Sequence, residues 1–533
     1  MAGKPLGKET MTEIRTYRGH IRNWRALCNE LDVDLHMSRE EREPLLLQRA
    51  YAMWGHDMGL HLHGMFALAL WDEERQELFC LRDPFGTKPF YYCLTEEGQF
   101  LYGTMIRDIL EDPGYKKELN EDMLQIYLSL TYVAGEDTFF RGIKKLMPGR
   151  WLVWKPAGPE KGAGDRHPAG DLSIHRYFTP AFSPDESRTL EDWADEIHST
   201  LLAVMPEVKE DGEEADSFLS GGVDSSYVLA VSDVQMTDSC GYDEARFDES
   251  GLAEETAQIL GRGNSRCRIT PEDYFAIVPY VMKNMEQPLG DASAIAFAIA
   301  CRETAKHTKL CYSGEGADEF FGGYNMYRNA PRYGENLKNF YVGNTNIMKE
   351  DEKEKILLRY DPSNLPINLV RGIYEETEGL DPLAKMSDVD IQIWLEGDIY
   401  LNVDKTSTAA GLEIRMPLTD RRIFDIAARM PSRFKVDAEQ NKVAFRKAAA
   451  KVLPEEIAFR KKLGFIVPIR IWLADERYNG DVRRRLAGDS AAKFFRLEEL
   501  QAIYEEYTGG NSDLWRKIWT IYTFLVWYDE YFG

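Results

Sequence analysis

The stretch Phe218–Ser226, FLSGGVDSS, decides the fold. Two apolar residues end a predicted strand, a Ser-Gly-Gly turn follows, and residues Ser225–Gln235 are predicted to form a helix. A strand that runs into a glycine-rich turn at a helix N-terminus is an anion site, because unpaired backbone N–H groups and the positive end of the helix dipole meet there. Glycine lets the backbone approach a phosphate closely, and serine hydroxyls add donors. The stretch therefore predicts a nucleotide-binding enzyme.

The same stretch differs from the phosphate loop of kinase-type enzymes. No Lys-Ser or Lys-Thr pair follows the glycines at the P-loop spacing. Asp224 instead places a carboxylate beside the expected phosphates, which suits Mg²⁺ held between protein and nucleotide. A Gly-Ser turn that only caps a helix is the alternative interpretation.

A second segment, Leu310–Tyr324 (LCYSGEGADEFFGGY), narrows the class of enzyme. It begins as an apolar strand and then turns through glycines that accompany three carboxylates. Acidic side chains at the C-terminal end of a strand lie where open α/β sheets bind ligands. We therefore predict that Asp224 and Asp318 jointly hold Mg²⁺ on ATP. A solvated acidic loop is the alternative, but such a loop needs neither paired glycines nor flanking aromatic residues.

Together, SGGVDSS and SGEGADEFFGGY resemble the synthetase domain of the asparagine synthetase family, which includes β-lactam and carbapenam synthetases and lasso-peptide cyclases. The resemblance continues through Asp291 in QPLGDASA, through Asp398–Asp420 and through Arg460–Pro468, and it covers most of residues 190–475. It implies a reaction in two halves. A substrate carboxylate first attacks the α-phosphorus of ATP to give an acyl-adenylate and pyrophosphate. An amine then attacks the acyl carbon and releases AMP.

The resemblance also implies roles for individual residues. Glu315 stands at the position of the base that deprotonates the attacking amine, and Lys462 at that of the lysine that contacts the α-phosphate. Asp224 and Asp318 are the metal positions, and Asp291 is a further candidate for substrate binding. The ATP-binding positions are Leu219, Ser220, Gly221, Gly222, Asp224, Ser225, Ser226, Cys240, Ser313 and Gly314.

Composition excludes several classes of partner. The chain has 65 basic and 89 acidic residues, a net charge of −24, which disfavours binding to a phosphate backbone and predicts no nucleic-acid partner. The longest nearly apolar run, Ala292–Cys301, is half a membrane span, so no membrane partner is expected. Seven cysteines without a C-x-x-C pair indicate reduced thiols in a cytoplasmic protein rather than disulfides or zinc.

The 533 residues allow two or three domains. Short apolar runs between residues 59 and 105 predict antiparallel hairpins, and helical patterns cover residues 22–31, 40–54 and 120–130. Thr189 is a predicted N-cap of a helix that buries Trp193, Ile197, Leu201 and Val204. From about residue 214, apolar strands alternate with helices, which is typical of a doubly wound parallel sheet in an α/β protein. We therefore predict an α+β domain at 12–180 and the synthetase domain, with a helical C-terminal part, at 188–530.

The first domain resembles the N-terminal-nucleophile (Ntn-type) glutaminase half of the same family, through Leu62–Tyr92 (LHGMFALALWDEERQELFCLRDPFGTKPFYY). That half normally begins with a catalytic cysteine after the initiator methionine, and Ala2 stands there in this chain. The family segment Asn-Gly-Glu-Ile-Tyr-Asn corresponds to Arg18–Asn23. Arg18 therefore replaces the oxyanion-stabilising Asn, and His20 replaces the Glu that binds glutamine. We predict a degenerate domain without glutaminase activity, as in the β-lactam and carbapenam synthetase branch.

These features predict an amide-forming ligase that uses ATP and Mg²⁺ to join a small-molecule carboxylate to ammonia or an amine. The alternatives are an intramolecular cyclase of the β-lactam or lasso type, a pyrophosphate-loop enzyme that modifies tRNA, and an inactive scaffold. Glu315 argues against the β-lactam arrangement, which resembles this frame but places Tyr there. Strong acidity and SGEGADEFFGGY count against a tRNA substrate. The sequence identifies neither the acid nor the amine. It is compatible with a homodimer.

Overall fold

The computed structural model describes residues 12–157, 170–461, 464 and 466–533. The chain divides into two compact units, Met1–Glu118 with Phe140–Thr179, and Leu119–Phe139 with Pro180–Gly533. The second unit thus takes in a segment, residues 119–139, that the sequence analysis placed in the first domain.

The first unit is built on antiparallel sheets with helices. Its strands are β1 (Thr12–Ile21), β2 (Gly64–Asp72), β3 (Glu77–Arg82), β4 (Tyr91–Leu94), β5 (Phe100–Gly103), β6 (Lys144–Lys145), β7 (Arg150–Lys155) and β8 (Asp171–Arg176). Its helices are α1 (Trp24–Leu31), α2 (Arg39–Trp54) and α3 (Ile106–Leu110). One sheet has the order β1-β2-β3-β7-β8 and the other β5-β4-β6. The predicted hairpins are confirmed as the antiparallel pairs β2–β3 and β4–β5.

The larger antiparallel sheet has apolar side chains on both faces. One face packs on α1 and α2 through a cluster that includes Trp24, Leu47 and Phe66. The other face carries a second cluster that includes Phe90 and Leu152. Because successive side chains of a strand point to opposite faces, β2 and β3 are almost continuously apolar rather than alternating.

The second unit is organised around a parallel sheet. Its strands are β9 (Asp216–Phe218), β10 (Met236–Gly241), β11 (Gly263–Arg268), β12 (Leu310–Tyr312) and β13 (Glu413–Arg415). They run in the order β11-β10-β9-β12-β13, and every neighbouring pair is parallel. The order reverses between β9 and β12, because the chain first builds outward from β9 and then returns to its other side. This is the doubly wound α/β topology that the sequence predicted.

Helices account for most of the rest of the second unit. They are α4 (Asp122–Leu130), α5 (Leu190–Val204), α6 (Val223–Ala230), α7 (Ser250–Ile259), α8 (Pro271–Met285), α9 (Ala292–Thr304), α10 (Ala317–Phe321), α11 (Ala330–Tyr333), α12 (Glu350–Ile356), α13 (Ile367–Glu376), α14 (Pro382–Val389), α15 (Leu401–Ala410), α16 (Arg421–Arg429), α17 (Val443–Ala449), α18 (Glu455–Ala458), α19 (Ile469–Trp472), α20 (Gly480–Leu486), α21 (Asp489–Ala492), α22 (Leu497–Thr508) and α23 (Trp515–Phe532). A π-helical segment, Asp390–Tyr400, joins α14 to α15. The predicted helical C-terminal part is confirmed.

Two helix predictions have different outcomes. The predicted cap is confirmed, since the Thr189 hydroxyl accepts a hydrogen bond from the Asp192 N–H at 3.2 Å. The apolar residues named for α5 are all buried. The predicted bounds of the helix after the glycine turn, Ser225–Gln235, are wrong. This helix, α6, begins at Val223 and ends at Ala230, because a turn in which the Ser232 hydroxyl bonds the Leu229 carbonyl must bring the chain back to β10.

The C-terminal helix α23 packs its aromatic residues into the interior, as the sequence predicts. Trp519, Phe524 and Trp527 are fully buried. None of the described helices is long and apolar enough to cross a membrane. The seven cysteines, all within the described residues, form no disulfide, which agrees with the predicted reduced thiols.

The interior of the second unit contains a buried ion pair that gives a stability prediction. The Lys405 ammonium contacts the Glu286 carboxylate, and neither side chain is exposed. Lys405→Met would leave that carboxylate buried without this cation, so we expect a loss of about 3–5 kcal/mol in the free energy of unfolding. Denaturant unfolding followed by tryptophan fluorescence measures it.

The matched control is the exposed pair of Lys306 and Glu303, whose N–O distance is 2.5 Å. Lys306→Met should change the free energy of unfolding by less than about 1 kcal/mol, because exposed ion pairs contribute little. Equal changes in the free energy of unfolding for the two substitutions would show that burial does not determine the contribution of these ion pairs to stability.

Candidate active site

A cavity of about 220 Å³ opens at the C-terminal ends of β9 and β12. These two strands are neighbours at the point where the strand order reverses, which is where doubly wound sheets bind their ligands. The loop after β9 carries SGGVDSS and the loop after β12 carries SGEGADEFFGG. The topology therefore brings the two most informative motifs of the sequence to one place.

Glycines allow the two loops to come this close. Gly221 has a φ of +77°, and a Cβ on it would lie 2.8 Å from the Leu252 Cβ. A Cβ on Gly314 would lie 2.9 Å from the backbone nitrogen of Ser225, which is in the first turn of α6. A larger residue at Gly221 would push the first loop away from α7, and one at Gly314 would push the two loops apart, so both glycines serve a close approach of backbones.

Donor groups converge where the first loop enters α6. The Ser220 N–H donates to the Ser225 hydroxyl at 3.2 Å, and the Gly222 N–H donates to the Ser220 hydroxyl at 3.3 Å. Gly222 is the N-cap of α6 and supplies no capping side chain. The positive end of α6 and the residues Ser220 and Ser225, with their hydroxyls, therefore lie at the cavity wall, which suits an anionic ligand.

Asp224 and Asp318 are joined by a lysine that the sequence analysis did not single out. The Lys442 Nζ lies 2.6 Å from Oδ2 of Asp224 and 2.7 Å from Oδ1 of Asp318. The Lys442 side chain is only 2% exposed, so its charge has little contact with water. Lys442 also has a φ of +60°, an uncommon backbone conformation for a residue other than glycine. One buried ammonium therefore bridges the two carboxylates predicted to hold metal.

The second glycine pair of SGEGADEFFGG is explained by this bridge. A Cβ on Gly323 would lie 1.7 Å from Oδ1 of Asp318 and 2.3 Å from Cε of Lys442. Only glycine leaves room for the carboxylate and the ammonium to meet at this position.

The donor set fits a hard divalent cation. Oδ1 of Asp224 is buried and has no hydrogen-bond partner among the described residues. Carboxylate oxygens are the ligands that Mg²⁺ prefers in proteins, usually together with phosphate oxygens of a substrate. Asp224 and Asp318 are therefore the residues that could hold Mg²⁺ in this cavity.

The three carboxylates of the second motif have different environments. Glu315 lines the cavity, and its Oε1 accepts a hydrogen bond from the Ser313 hydroxyl at 3.1 Å. Glu319 is buried instead and accepts a hydrogen bond from the Tyr324 hydroxyl at 2.6 Å. Burial, and next the negative charge of Asp318, raise the pKa of Glu319 to about 8. Glu315 and Asp318 thus face the cavity, whereas Glu319 belongs to the interior.

Most of the predicted site residues line this one cavity. They are Leu219, Ser220, Gly221, Gly222, Asp224, Ser225, Cys240, Ser313, Gly314, Glu315 and Asp318. Ser226 does not line it and is buried. Asp291 does not line it either and caps α9 by accepting from the Ser293 N–H at 2.9 Å. Lys462 lies outside the described residues.

Four cationic side chains that the structure describes on the cavity wall were not predicted from the sequence, namely Lys442, Arg446, Arg460 and Lys461. Arg460 donates to the Gly221 carbonyl at 3.1 Å and to the Thr256 hydroxyl at 3.1 Å, so it holds the glycine loop. Burial lowers the pKa of Arg446, and the two aspartates act in the opposite direction. Lys442 is the residue before α17 and Arg446 lies inside that helix, so no helical spacing in the sequence links the two.

The family assignment follows from comparison with known proteins. Residues 208–529 match the family model described as asparagine synthase, and residues 1–162 match that of the glutamine amidotransferase domain. The chain therefore belongs to the asparagine synthase family. Members of this family are ligases that form C–N bonds in ATP-dependent amide synthesis.

Sequence similarity to known proteins extends over nearly the whole chain. Glutamine-hydrolyzing asparagine synthetase 1 of Bacillus subtilis is 30% identical, with 99% of this chain and 87% of that protein covered. A putative glutamine-hydrolyzing asparagine synthetase of Mycobacterium tuberculosis is 29% identical, with coverages of 97% and 84%. Glutamine-hydrolyzing asparagine synthetase 3 of Bacillus subtilis is 28% identical, with coverages of 84% and 74%.

The space at Gly323 gives a prediction for this site. Gly323→Ala should displace the Asp318 carboxylate from Lys442 and weaken the binding of Mg²⁺–ATP by about tenfold or more, which corresponds to about 1.4 kcal/mol. Isothermal titration calorimetry measures this affinity. Gly372→Ala in α13 is the matched control, because a Cβ there meets no atom within 4 Å. Unchanged affinity in Gly323→Ala would show that the position of the Asp318 carboxylate does not contribute to nucleotide binding.

Proposed function

We propose that this chain is an AMP-forming carboxylate–amine ligase that lacks glutaminase activity. It activates a small-molecule carboxylate as an acyl-adenylate and transfers the acyl group to ammonia or to an organic amine. The observation that carries the proposal is the cavity in which the SGGVDSS loop, Glu315 and the Asp224–Lys442–Asp318 bridge meet.

In the proposed reaction, ATP is cleaved between the α- and β-phosphates. The glycine loop and the start of α6 present donors suited to the β- and γ-phosphates, which leave together as pyrophosphate. Lys442 places a positive charge beside them, and Lys462 is proposed to contact the α-phosphate. When bound, Mg²⁺ held by Asp224 and Asp318 supplies charge compensation to the triphosphate. Preorganised charge of this kind stabilises the transition state without reorganisation of the site.

Glu315 is the proposed base for the second half-reaction. Its carboxylate lines the cavity next to the glycine loop, and the Ser313 hydroxyl orients it through Oε1. The Thr419 hydroxyl donates to the Glu315 carbonyl at 3.1 Å, which fixes the backbone of the same residue. A carboxylate held in this way can take a proton from an amine as it attacks the acyl carbon.

The structure of the first unit supports the absence of glutaminase chemistry. Arg18 and His20 lie on β1 at the positions that need an amide and a carboxylate. The Arg18 guanidinium donates to the Met105 sulfur at 3.2 Å. The His20 side chain is buried, 3.5 Å from the Glu43 carboxylate, and that carboxylate also accepts from the Ile21 N–H at 2.9 Å. The His20 contacts are those of a buried side chain, which supports the proposal that this position does not bind glutamine.

Cys28 also cannot serve as an N-terminal nucleophile. Cys28 lies inside α1 and is 1% exposed, and its nitrogen belongs to a peptide bond. An N-terminal nucleophile needs a free α-amino group as its base, so Cys28 does not meet that requirement. We therefore propose that the first unit keeps its fold but does not hydrolyse glutamine.

ATP–pyrophosphate exchange, screened over amino and dicarboxylic acids, tests the proposed function. The cognate acid should support exchange, and Asp224→Ala should abolish it, because a metal carboxylate is lost. Glu315→Gln should retain exchange but lose amide formation by about 10²-fold or more, the scale for removal of a general base. ADP as the main product would contradict the mechanism. Equal loss of both half-reactions would assign Glu315 to substrate or metal positioning.

A second experiment tests the absence of glutaminase activity. Glutamine should be neither hydrolysed nor used for product formation, whereas ammonium or the true amine should support turnover. Turnover should increase with pH, since more of the amine is then unprotonated. Glutamate release is measured with and without ATP and the cognate acid. ATP-stimulated release of glutamate would contradict the proposed absence of glutaminase activity.

A further inference from the structure

A second group of metal-ligating side chains lies in the parallel sheet, and the proposed reaction does not use it. Asp216 is the first residue of β9, and Asp238 is the third residue of the adjacent strand β10. His307 lies in the turn between α9 and β12. In the register of β9 and β10, Asp238 pairs with Phe218, so Asp216 and Asp238 share one face of the sheet.

The three side chains converge closely. The His307 Nε2 lies 3.2 Å from Oδ2 of Asp216 and 3.1 Å from Oδ1 of Asp238. One ligand atom of each residue lies within 4.8 Å of those of the other two. A divalent metal held by nitrogen and oxygen at about 2.0–2.2 Å places neighbouring ligand atoms about 3.0–3.5 Å apart. The observed distances therefore fit a shared metal.

The negative charges of Asp216 and Asp238 are only partly compensated by their surroundings. The Asp216 side chain is 14% exposed and that of Asp238 is 9% exposed. Oδ2 of Asp238 is buried and accepts no hydrogen bond from the described residues. Burial raises the pKa of both groups, that of Asp238 to about 6, and His307 offsets this only in part. A single imidazole thus faces two desolvated carboxylates, which a divalent cation would compensate better.

We propose that Asp216, Asp238 and His307 form a binding site for a first-row divalent transition metal, with Zn²⁺ as the best match. Imidazole nitrogen selects Zn²⁺ over Mg²⁺, which prefers oxygen ligands throughout. The His307 side chain is 41% exposed, so the metal can enter from solvent and keep water in its remaining positions. This separates the site chemically from the all-oxygen pair of Asp224 and Asp318.

Occupation of this site would affect the neighbouring structure. The metal would tie β9, β10 and the turn after α9 to one another. Asp238 also lines the cavity, and β9 leads directly into the glycine loop. We therefore expect Zn²⁺ to stabilise the second unit against unfolding, since a ligand that binds only the folded state raises its stability.

Calorimetric titration of the chelator-treated full-length chain with ZnCl₂, in excess Mg²⁺ and without ATP, tests the proposal. Excess Mg²⁺ keeps Zn²⁺ from the carboxylates of Asp224 and Asp318. The chain should bind Zn²⁺, and His307→Ala should weaken this binding by about 100-fold or more, because one of three ligands is lost. Asp216→Asn, which keeps the shape of the side chain, should weaken it in the same direction.

The controls separate the site from other histidines and from folding. His198→Ala is the matched control, because His198 is also a partly exposed histidine of the second unit and bonds the Tyr227 hydroxyl. It should leave Zn²⁺ binding unchanged. Zn²⁺ should raise the melting temperature of the original chain and of His198→Ala, and this rise should be absent in His307→Ala.

Two results would overturn the proposal. One is the absence of Zn²⁺ binding by the original chain, which would make the cluster a histidine–carboxylate ion pair. The other is equal Zn²⁺ affinity in His307→Ala and in the original chain. Neither measurement involves the ligase reaction, so the outcome is independent of the proposed function.

Discussion

The bridge of Lys442 between Asp224 and Asp318 is the interaction on which the rest of the site depends. Two carboxylates from loops of different strands would repel each other in a partly buried cavity without a cation. The ammonium contacts both at 2.6 and 2.7 Å, and so it fixes the distance between the SGGVDSS loop and the SGEGADEFFGG loop. The glycines of both loops, above all Gly314 and Gly323, are required by the closeness that this bridge imposes.

The same bridge explains how the cavity can accept a charged ligand. Before ATP binds, Lys442 compensates the carboxylates, and Oδ1 of Asp224 remains available to a metal. In the proposed function, a divalent cation takes over this compensation, and the ammonium becomes available to phosphate oxygens. The two carboxylates therefore have a cation beside them in both states, which limits the cost of burying them.

The sequence predicted the parallel sheet and most residues of the cavity, because both motifs report local backbone geometry. A glycine turn between a strand and a helix is visible in nine residues, and it identified Ser220, Gly221 and Asp224 without any tertiary information. Lys442 could not be found in this way, since it lies 218 residues from Asp224 in the chain. Only the packing of α17 against α5, α6 and α10 brings it to the carboxylates.

A local pattern also failed at the end of α6, and the sequence assigned no place to Glu319. The run Ser225–Gln235 looks helix-like throughout, and the second motif carries three acidic residues without showing which of them face the cavity. The structure divides each of them, because the chain must return to β10 and because one of three neighbouring carboxylates faces the interior. Such divisions depend on which direction a side chain points after folding, which the order of residues alone does not determine.

A crystal structure of the chain with ATP and Mn²⁺ is the most direct test of this site, because Mn²⁺ can stand in for Mg²⁺ and is located by its anomalous scattering. We expect Mn²⁺ bound to the carboxylates of Asp224 and Asp318, phosphates at the loop Ser220–Gly222, and the Lys442 ammonium in contact with a phosphate oxygen. Nucleotide bound elsewhere, or Lys442 still bridging the two carboxylates with no metal on them, would contradict this expectation.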